Sequence, residues 1–456
     1  MGALTSISPI DGRYYHDVAD LSNYFSEQAL MRYRLMVEVE YIIALGFEKK
    51  ITAVPPFSSA AQKKLRNLYA HFSLSDAERV KSIEATTNHD VKAIEYFLKE
   101  KIAALPHLSP GRATPPYLEF IHFALTSEDI NNLAFSLMWQ DGVEKVYLPT
   151  LTKVIFEIKK SARAHRAVPL LALTHGQSAS PTTIGKEFAV FSSRLERQLQ
   201  LLHNHSLQGK LSGATGTWGA HVVSYPNVDW ITFSKHFIKS LGLEPNLVTT
   251  QIENHDSLAE SFHTIERINT ILLDFVRDIW LYVMRGVLGQ KKKAGETGSS
   301  TMPHKINPIN FENAEGNLGL ANAYLSHLAA KLPISRLQRD LSDSTVLRNL
   351  GVPLAHSLVA CKNIIKGMSR LMVNTEKIHE ELENHWEVVA EAIQTVLRKV
   401  GHQKPYEKLK ELTRGQKITK EIIRAFIHKL DIPKTEKSKL LKLTPHTYTG
   451  LAAKVV

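Results

Sequence analysis

Residues Ser257 to Arg285 read SLAESFHTIERINTILLDFVRDIWLYVMR, a run of twenty-nine positions without a glycine or a proline. Its apolar residues recur every three or four positions, at Leu258, Phe262, Ile265, Ile268, Leu272, Phe275, Ile279 and Val283. This spacing lines one face of an α-helix that would be about 44 Å long at 1.5 Å per residue. The stretch is therefore predicted to be one rod of a helical bundle.

Other segments show the same spacing. They run from Tyr147 to Ala167, with Pro149 at the start, and from Lys186 to Gln208. A further helical run, bent near Gly351 and Pro353, is predicted to continue to about Leu371. Because the alternating pattern typical of strands is scarce, the fold class is predicted to be all-α. Long helices with broad apolar stripes also favour association between copies of the chain.

The length of 456 residues suggests three domains of about 150 residues each. The chain has one dense cluster of proline, glycine and serine, at 108–116, and this cluster predicts a surface loop near the first boundary. Shorter charged segments follow about residue 365. The predicted division is an N-terminal helical domain (1–115), a central long-helix bundle (116–365) and a C-terminal helical domain (366–456).

The charge balance leaves two interpretations open. The formal net charge is +11, but only 22% of the residues are charged, and no block of like charge is longer than Lys291 to Lys293. An excess of this kind is weak support for an anionic ligand, and a solvated basic surface is the more ordinary interpretation.

Cysteine usage and the first residues indicate where the protein works. Cys361 is the one cysteine, so neither an internal disulfide nor a thiolate metal site is expected. The first thirty residues lack the apolar core of a signal peptide, and no stretch reaches the roughly 18 apolar residues that span a bilayer. We expect a soluble, cytoplasmic protein without a membrane partner.

The segment with the most unusual composition follows the long rod directly. It reads GETGSSTMPHKINP, from Gly295 to Pro308. Glycines let backbone N–H groups converge on an anion, and a serine in such a loop beside a lysine can act as a base if its alkoxide is stabilised. On composition alone, the segment is either a functional loop or an ordinary connector.

This segment resembles the signature loop of the fumarase/aspartase superfamily, Gly-Ser-Ser-x-Met-Pro-x-Lys-x-Asn-Pro, at every specified position. Further motifs resemble the adenylosuccinate lyase family of the bacterial type, and they occur in that family's order. These motifs are Asp11-Gly12-Arg13-Tyr14, Thr86-Thr87-Asn88-His89-Asp90, Thr126-Ser127-Glu128-Asp129-Ile130, Thr174-His175-Gly176-Gln177, Thr250-Gln251-Ile252-Glu253, Arg339-Asp340 and Ser344-Thr345-Val346-Leu347-Arg348-Asn349. Two departures are the loop at 108–116, which looks like an insertion, and Ser178, where the family has proline.

The resemblance implies a β-elimination that releases fumarate from two succinyl-amine nucleotides. Adenylosuccinate would give AMP, and the succinylocarboxamide ribotide SAICAR would give AICAR. The chemistry needs a base for a weakly acidic C–H, an acid for the departing nitrogen and a partner for the developing charge, and it needs no cofactor. By resemblance, Ser299 is the general base, His175 is the general acid, His89 assists, and Lys305 stabilises charge.

The resemblance also assigns the binding residues. The succinyl carboxylates would be bound by Thr126, Ser127, Lys305 and Asn307, with Gln251 nearby on the ligand. The phosphate would be bound by Arg13, Tyr14, Arg339, Ser344 and Arg348, because a guanidinium offers a fork of donors. Asn88, Asp90, Asn313 and Thr345 complete the predicted substrate-binding set.

Several of these residues have simpler local interpretations. Asn88 to Asp90 is also a common composition at the start of a helix. Thr126 to Asp129 likewise suits a helix N-terminus, which can itself bind an anion. Ser344 and Arg348 are four apart, as in an ordinary surface pair on one helix.

The family's active site is assembled from three protomers of a homotetramer, and the long rods fit a shared helical core. The nearest alternative is another lyase of the superfamily, of the argininosuccinate lyase, aspartase or fumarase type, but these substrates carry no phosphate for the arginine segments. A basic helical scaffold that binds nucleic acid is the alternative from another class. It would explain the net charge but would leave the Gly-Ser-Ser loop without a purpose, so no nucleic-acid partner is expected.

Overall fold

The computed structural model describes residues 3–105, 116–291, 302, 305–413 and 418–456. The predicted surface loop lies outside these residues, except for Pro116 at its end. The signature loop also lies largely outside them, and that part includes Ser299.

Helices account for most of the described chain, as the apolar spacing predicts. They are α1 (Tyr15–Val18), α2 (Ser22–Phe25), α3 (Glu27–Phe47), α4 (Ser59–Ala70), α5 (Leu74–Thr87), α6 (Asp90–Ala103), α7 (Ser127–Gly142), α8 (Leu148–Ala164), α9 (Ile184–His203), α10 (Gly219–Ser224), α11 (Trp230–Ser240), α12 (Asp256–Met284), α13 (Ile309–Lys331), α14 (Ser342–Leu347), α15 (Gly351–Met368), α16 (Thr375–Glu383), α17 (Ala390–Lys399), α18 (Pro405–Thr413), α19 (Lys420–Lys429) and α20 (Lys434–Lys442). The five residues Val143–Tyr147 join α7 to α8 as a π-helical turn.

The described strands form three small two-stranded sheets. Two are antiparallel, β1 (Pro169–Thr174) with β2 (Gln177–Thr183) and β5 (Leu288–Gln290) with β6 (Leu371–Val373), and one is parallel, β3 (Gln208–Gly209) with β4 (Glu244–Pro245). The β1–β2 hairpin is the longest, and it was not predicted from the sequence. The fold is therefore mainly α-helical, with a few short strands.

The longest helix matches its prediction within one residue at each end. Helix α12 runs over Asp256–Met284, against the predicted Ser257 to Arg285. Seven of the eight apolar residues of the predicted stripe are buried; Val283, in the last turn, is half-buried. Near Gly351 the chain is interrupted rather than bent, because α14 ends at Leu347 and α15 starts afresh with Pro353 in its first turn. A proline in the first turn of a helix costs no internal hydrogen bond.

The chain forms two compact units. The first comprises Met1–Leu151, Gln198–Thr270 and Asn317–Val359. Aromatic contacts consolidate its core, since the ring of Trp139 meets Phe262 edge-on at 4.8 Å and its indole N–H donates to the hydroxyl of Ser261 at 2.8 Å. Buried polar atoms need such partners to offset their lost hydration.

The second unit comprises Thr152–Arg197, Ile271–Gly316 and Ala360–Val456. Its C-terminal helices enclose a hydrophobic cluster of Trp386, Ile393, Leu397, Leu409, Ile418, Ile423, Ile427, Leu430 and Leu440. No described helix is both long and apolar enough to cross a membrane. The division into three domains stays a prediction.

Candidate active site

The junction between α5 and α6 positions three predicted site residues of the first unit. Asn88 adopts a left-handed conformation with φ of 54° and ends α5. His89 caps α6, and its Nδ1 accepts a hydrogen bond from the backbone N–H of Lys92 at 3.1 Å. The helix-start interpretation of this segment is therefore confirmed. The side chain of His89 is still 52% exposed, so the ring can also face a ligand.

Asp90 links two arginines from distant parts of the sequence. Its Oδ2 accepts from Arg34 at 2.8 Å and from Arg348 at 3.0 Å. Burial alone would raise the pKa of the Asp90 carboxyl, but the charges of Arg34 and Arg348 outweigh it and lower the pKa. The predicted residues Asp90 and Arg348 are thus brought together, whereas no local pattern points to Arg34 in the middle of α3.

Helix α14 carries the predicted phosphate-binding pair. Ser344 lies within the helix, and its backbone N–H donates to the carboxylate of Asp343 at 2.7 Å. Arg348 follows the helix directly and is 39% exposed. Its guanidinium also reaches Glu27 at 3.2 Å. Thr345 is exposed on the same helix, and its carbonyl oxygen accepts from the side chain of Asn349.

The N-terminal segment and Arg348 line one cavity of about 260 Å³ in the first unit. Asp11 and Tyr15 belong to its lining and flank the predicted pair Arg13 and Tyr14. Arg13 is exposed, and its guanidinium has no hydrogen-bond partner among the residues that the structure describes. Arg348 thus lines this cavity, and Arg13 lies between two of its lining residues in the sequence.

Thr126 and Ser127 stand at the start of α7, as the second local interpretation predicts. The backbone N–H of Thr126 donates to Asp129 at 2.9 Å. Asp129 is fully buried and forms an ion pair with the equally buried Lys210 at 2.8 Å. Its carboxylate also accepts from the backbone N–H groups of Ser212 and Gly213. No local pattern in the sequence predicts this buried pair, which fixes the beginning of α7 beside the predicted carboxylate-binding residues.

Arg339 is held by two carboxylates that the sequence analysis did not assign. Its guanidinium lies 2.8 Å from Glu128 and 3.5 Å from Asp343. Burial raises the pKa of the Glu128 carboxyl to about 7, against the opposing charge of Arg339. Gln251 lies beside Arg339 in the fold. Its backbone N–H donates to the carbonyl oxygen of Gln338, the residue before Arg339, at 3.3 Å.

Glu128 and Asp343 form a buried cluster with His255. Each of the three side chains has an atom that could bind a metal ion, and these atoms lie within 4.8 Å of one another. Burial lowers the pKa of His255 to about 4, so the ring is neutral near pH 7. The two carboxylates already face the guanidinium of Arg339. An arginine thus supplies the positive charge that a metal ion would otherwise bring.

His175 lies in the second unit at the tip of the β1–β2 hairpin. His175 and Gly176 form the two-residue turn, with φ of 54° and 73°. Two positive φ values are typical of the type I′ turn, whose twist matches that of the paired strands. The imidazole is exposed and has no hydrogen-bond partner within the described parts of the chain. The hairpin thus presents an exposed histidine at its tip.

The remaining predicted residues lie around the signature loop. Lys305 is exposed, Asn307 is half-buried, and Asn313 lies in the first turns of α13. Lys305 is positioned by a backbone hydrogen bond from its N–H to the carbonyl oxygen of Met302 at 3.0 Å. Ser299 lies outside the described residues, so its predicted role as the base stays a prediction.

Comparison with known proteins establishes the family. Residues 12–322 match the family model described as Lyase, and residues 335–449 match the one described as Adenylosuccinate lyase C-terminal. The chain is 53% identical to the adenylosuccinate lyase of Haemophilus influenzae and 51% identical to that of Escherichia coli K12, each over 100% of this chain and 99% of the relative. The chain belongs to the adenylosuccinate lyase family. The relative in Dictyostelium discoideum is 51% identical over 98% of this chain and 97% of its own.

Two solved structures share the fold of this adenylosuccinate lyase family member. A fumarate lyase from Mesorhizobium sp. BNC1 superposes with a TM-score of 0.74 at 18% identity, covering 96% of both chains. The 3-carboxy-cis,cis-muconate lactonizing enzyme from Pseudomonas putida gives 0.70 at 20% identity, covering 96% of this chain and 95% of the other. The C-terminal family match includes Arg339 and Arg348, the arginines predicted from the sequence to bind phosphate.

Proposed function

We propose that this protein is an adenylosuccinate lyase that releases fumarate from adenylosuccinate, giving AMP, and from SAICAR, giving AICAR. The observation that carries the proposal is the full-length identity of 53% to a curated adenylosuccinate lyase. The match of residues 335–449 to the C-terminal model of this family supports the same substrates over those of other lyases in the superfamily. That region carries Arg339 and Arg348, which we propose to bind the phosphate that only the nucleotide substrates have.

The proposed reaction is a β-elimination with two proton transfers. The alkoxide of Ser299 removes a proton from the succinyl carbon next to a carboxylate, and that electron pair forms the double bond of fumarate. The C–N bond breaks, and the imidazolium of His175 gives its proton to the departing nitrogen. The exposed, unpartnered ring of His175 supports this role, because a general acid must be able to reach the substrate.

Charge stabilisation is proposed for Lys305. Its ammonium has no partner among the described residues and follows the predicted base by six positions. The developing charge spreads onto a succinyl carboxylate, and a positive group aimed at that carboxylate stabilises the transition state more than the ground state. Thr126, Ser127, Asn307, Asn313 and Gln251 are proposed to bind and orient the same end of the substrate.

At the nucleotide end, the phosphate is proposed to bind Arg13, Tyr14, Arg339, Ser344, Thr345 and Arg348. The exposed guanidinium of Arg13 and the half-exposed one of Arg348 support this assignment. Arg348 is held by Glu27 and Asp90, so an incoming phosphate would exchange one anionic partner for another. We propose that Asn88 and His89 contact the ligand beside Asp90, with His89 orienting it.

We propose that the protein is a homotetramer of three-domain chains, with active sites built from three protomers. Large apolar side chains are exposed on the long helices, and they support burial against other copies of the chain. They are Phe156 on α8, Val190 and Leu201 on α9, Trp280, Leu281 and Met284 on α12, and Ile309, Leu320 and Tyr324 on α13. We place the enzyme in the cytoplasm, where its single buried cysteine would stay reduced.

A substrate panel tests the proposed function. The purified protein is incubated with adenylosuccinate, SAICAR and argininosuccinate, and fumarate is followed by its absorbance. We expect turnover of both nucleotides and none of argininosuccinate. Turnover of argininosuccinate alone would contradict the proposal in favour of a related lyase. Failure with all three, together with salt-sensitive binding to nucleic acid, would favour a binding scaffold.

A further inference from the structure

A group of possible metal ligands lies in the second unit, among residues that the proposed reaction does not use. His379 and Glu383 are four apart on α16, so the helix presents both on one face. His446 joins them from a turn near the C-terminus, and its ring centroid lies 4.6 Å from that of His379. Its Nε2 lies 3.3 Å from Glu383 Oε1. One candidate ligand atom from each of the three residues falls within 4.8 Å of the other two.

These separations suit a tetrahedral metal site. Two ligand atoms that each lie about 2.0 Å from a tetrahedral Zn²⁺ are about 3.3 Å apart. The distance between His446 Nε2 and Glu383 Oε1 has this value before any adjustment. The candidate atom of the exposed His379 lies within 4.8 Å of the other two, so its ring has to move closer when the ion binds.

The carboxylate of Glu383 is already oriented for such a role. The buried indole of Trp386 donates from Nε1 to Glu383 Oε2 at 3.1 Å. This bond occupies one carboxylate oxygen and leaves Oε1 on the side of His446. A hydrogen bond to the second oxygen of a ligand is a common device for fixing its orientation in metal sites.

Hydrogen bonds fix the segment around His446, but the ring nitrogens of His446 make none among the described residues. Its turn is closed by backbone bonds from Thr447 and Tyr448 to the carbonyl oxygen of Thr444, both at 3.0 Å. The hydroxyl of Tyr448 donates to Glu391 at 2.9 Å and anchors the same segment. Both ring nitrogens of His446 are shielded from solvent without a hydrogen-bond partner in the described structure.

We propose that His379, Glu383 and His446 form a binding site for a divalent transition-metal ion, with water in the remaining position. Two imidazoles and one carboxylate suit Zn²⁺, Co²⁺ or Ni²⁺, whereas Mg²⁺ and Ca²⁺ prefer oxygen ligands. The bound ion would join α16 to the C-terminal turn and stabilise the docking of that segment. Because the ion binds the folded chain, stability would rise with the concentration of free metal.

Calorimetric titration of the chelator-treated, full-length protein with Zn²⁺ tests the site. We expect binding of one ion per chain that Mg²⁺ does not displace. His379→Ala and His446→Ala should each weaken binding at least tenfold, and Glu383→Gln should do the same while keeping the size of the side chain. His385→Ala is the matched control, because the Nδ1 of His385 lies 2.7 Å from the carbonyl oxygen of Glu381, outside the cluster.

Two further readouts separate this site from other histidines on the surface. Co²⁺ in a tetrahedral site should give visible absorption that the His446→Ala variant lacks. Zn²⁺ should raise the melting temperature of the wild type and of His385→Ala, and not that of His379→Ala. The proposal is overturned if Zn²⁺ does not bind, or if the wild type and both histidine variants bind it equally. Circular dichroism confirms that each variant is folded.

Discussion

At the scale of single residues, the junction of Arg34, Asp90 and Arg348 shows how the fold prepares a charged site. Asp90 accepts from both guanidinium groups, and only Arg348 is substantially exposed. Buried Arg34 therefore holds the carboxylate in place, while Arg348 can exchange its contacts for those of a ligand. A phosphate gains charge-assisted hydrogen bonds from a guanidinium, and these are worth about 1.5–3 kcal/mol each.

Arg348→Ala is expected to raise KM for adenylosuccinate about tenfold or more with a smaller change in kcat, because the lost contact binds the non-reacting end of the substrate. Steady-state fumarate release measures both constants. Arg348→Lys keeps the positive charge but loses the paired N–H donors of the guanidinium. Its KM should therefore lie between those of the wild type and Arg348→Ala. Arg66→Ala is the control, since Arg66 pairs with Glu40 on an exposed surface. An unchanged KM in Arg348→Ala would contradict the phosphate assignment.

Glu128 gives a prediction for the pH dependence of stability. Burial raises the pKa of its carboxyl from 4.5 to about 7. Between these two pH values, the folded protein binds a proton at Glu128 that the unfolded chain has released. Raising the pH from about 4.5 to 7 therefore lowers the free energy of unfolding through this group. Glu128→Gln removes this titration. The stability of the variant relative to the wild type should rise across the window by up to about 3 kcal/mol.

Urea unfolding at several pH values and one protein concentration measures this difference. Glu119→Gln is the control, because the side chain of Glu119 is 81% exposed. Its difference from the wild type should not follow the same pH window. Parallel pH profiles for the wild type and Glu128→Gln would show that the buried carboxyl does not titrate as expected.

At the scale of secondary-structure elements, the β1–β2 hairpin positions the proposed acid. Gly176 has φ of 73°, and a Cβ atom there would meet nothing within 4 Å. Gly176→Ala therefore carries a conformational cost of roughly 1 kcal/mol without a steric clash. An alanine at this positive φ should shift the backbone of the turn and, with it, the side chain of His175. We therefore expect kcat to fall.

Gly401→Ala is the matched control for this variant. Gly401 has φ of 74° and also has open space at its Cβ position, but it lies far along the chain from the hairpin. Thermal melts should show a similar small loss of stability in both variants. Fumarate release should fall only in Gly176→Ala, and equal turnover in the two variants would argue against the role of the turn.

The sequence predicts the long helices well and the hairpin poorly. In α12 the regular apolar spacing coincides with burial, so its ends are correct within one residue. The segments Lys186 to Gln208 and Tyr147 to Ala167 extend past the ends of α9 and α8 by five and three residues, because apolar spacing alone does not mark where a helix stops. The run Leu170 to Leu173 is compatible with either a strand or a helix, and His175-Gly176 is not one of the common turn pairs.

The residues of the candidate site also differ in how well the sequence predicts them. Motifs such as Thr126-Ser127 and Asn88-His89-Asp90 are visible in the sequence, and the structure places them at the starts of helices. Their supporting partners are not visible. Lys210 lies 81 residues from Asp129, and Arg34 lies 56 residues from Asp90. Buried ion pairs of this kind depend on tertiary packing, which no local pattern encodes.

For the molecule as a whole, the proposed association of chains should affect activity most, because the proposed active sites are shared between protomers. Leu320 and Tyr324 are one helical turn apart on α13 and are both exposed. Leu320→Glu is expected to lower the molar mass measured by light scattering from about four times 51.2 kDa, and to lower turnover with it. Leu451→Glu, at another exposed leucine, is the control. A wild type that is monomeric and fully active would contradict shared active sites.

The net charge of +11 fits a protein that attracts anionic substrates, although it does not distinguish a nucleotide from a nucleic acid. The membership in the adenylosuccinate lyase family favours the nucleotide. The proposed elimination needs a base and an acid that both reach one substrate molecule, and Ser299 and His175 are proposed for these roles.

The most direct measurement is fumarate release from adenylosuccinate by the wild type, Ser299→Ala and His175→Ala, with circular dichroism to confirm folding. Removing a general base or a general acid should lower kcat at least about a hundredfold in each variant. Near wild-type turnover in either variant would contradict the proposed mechanism.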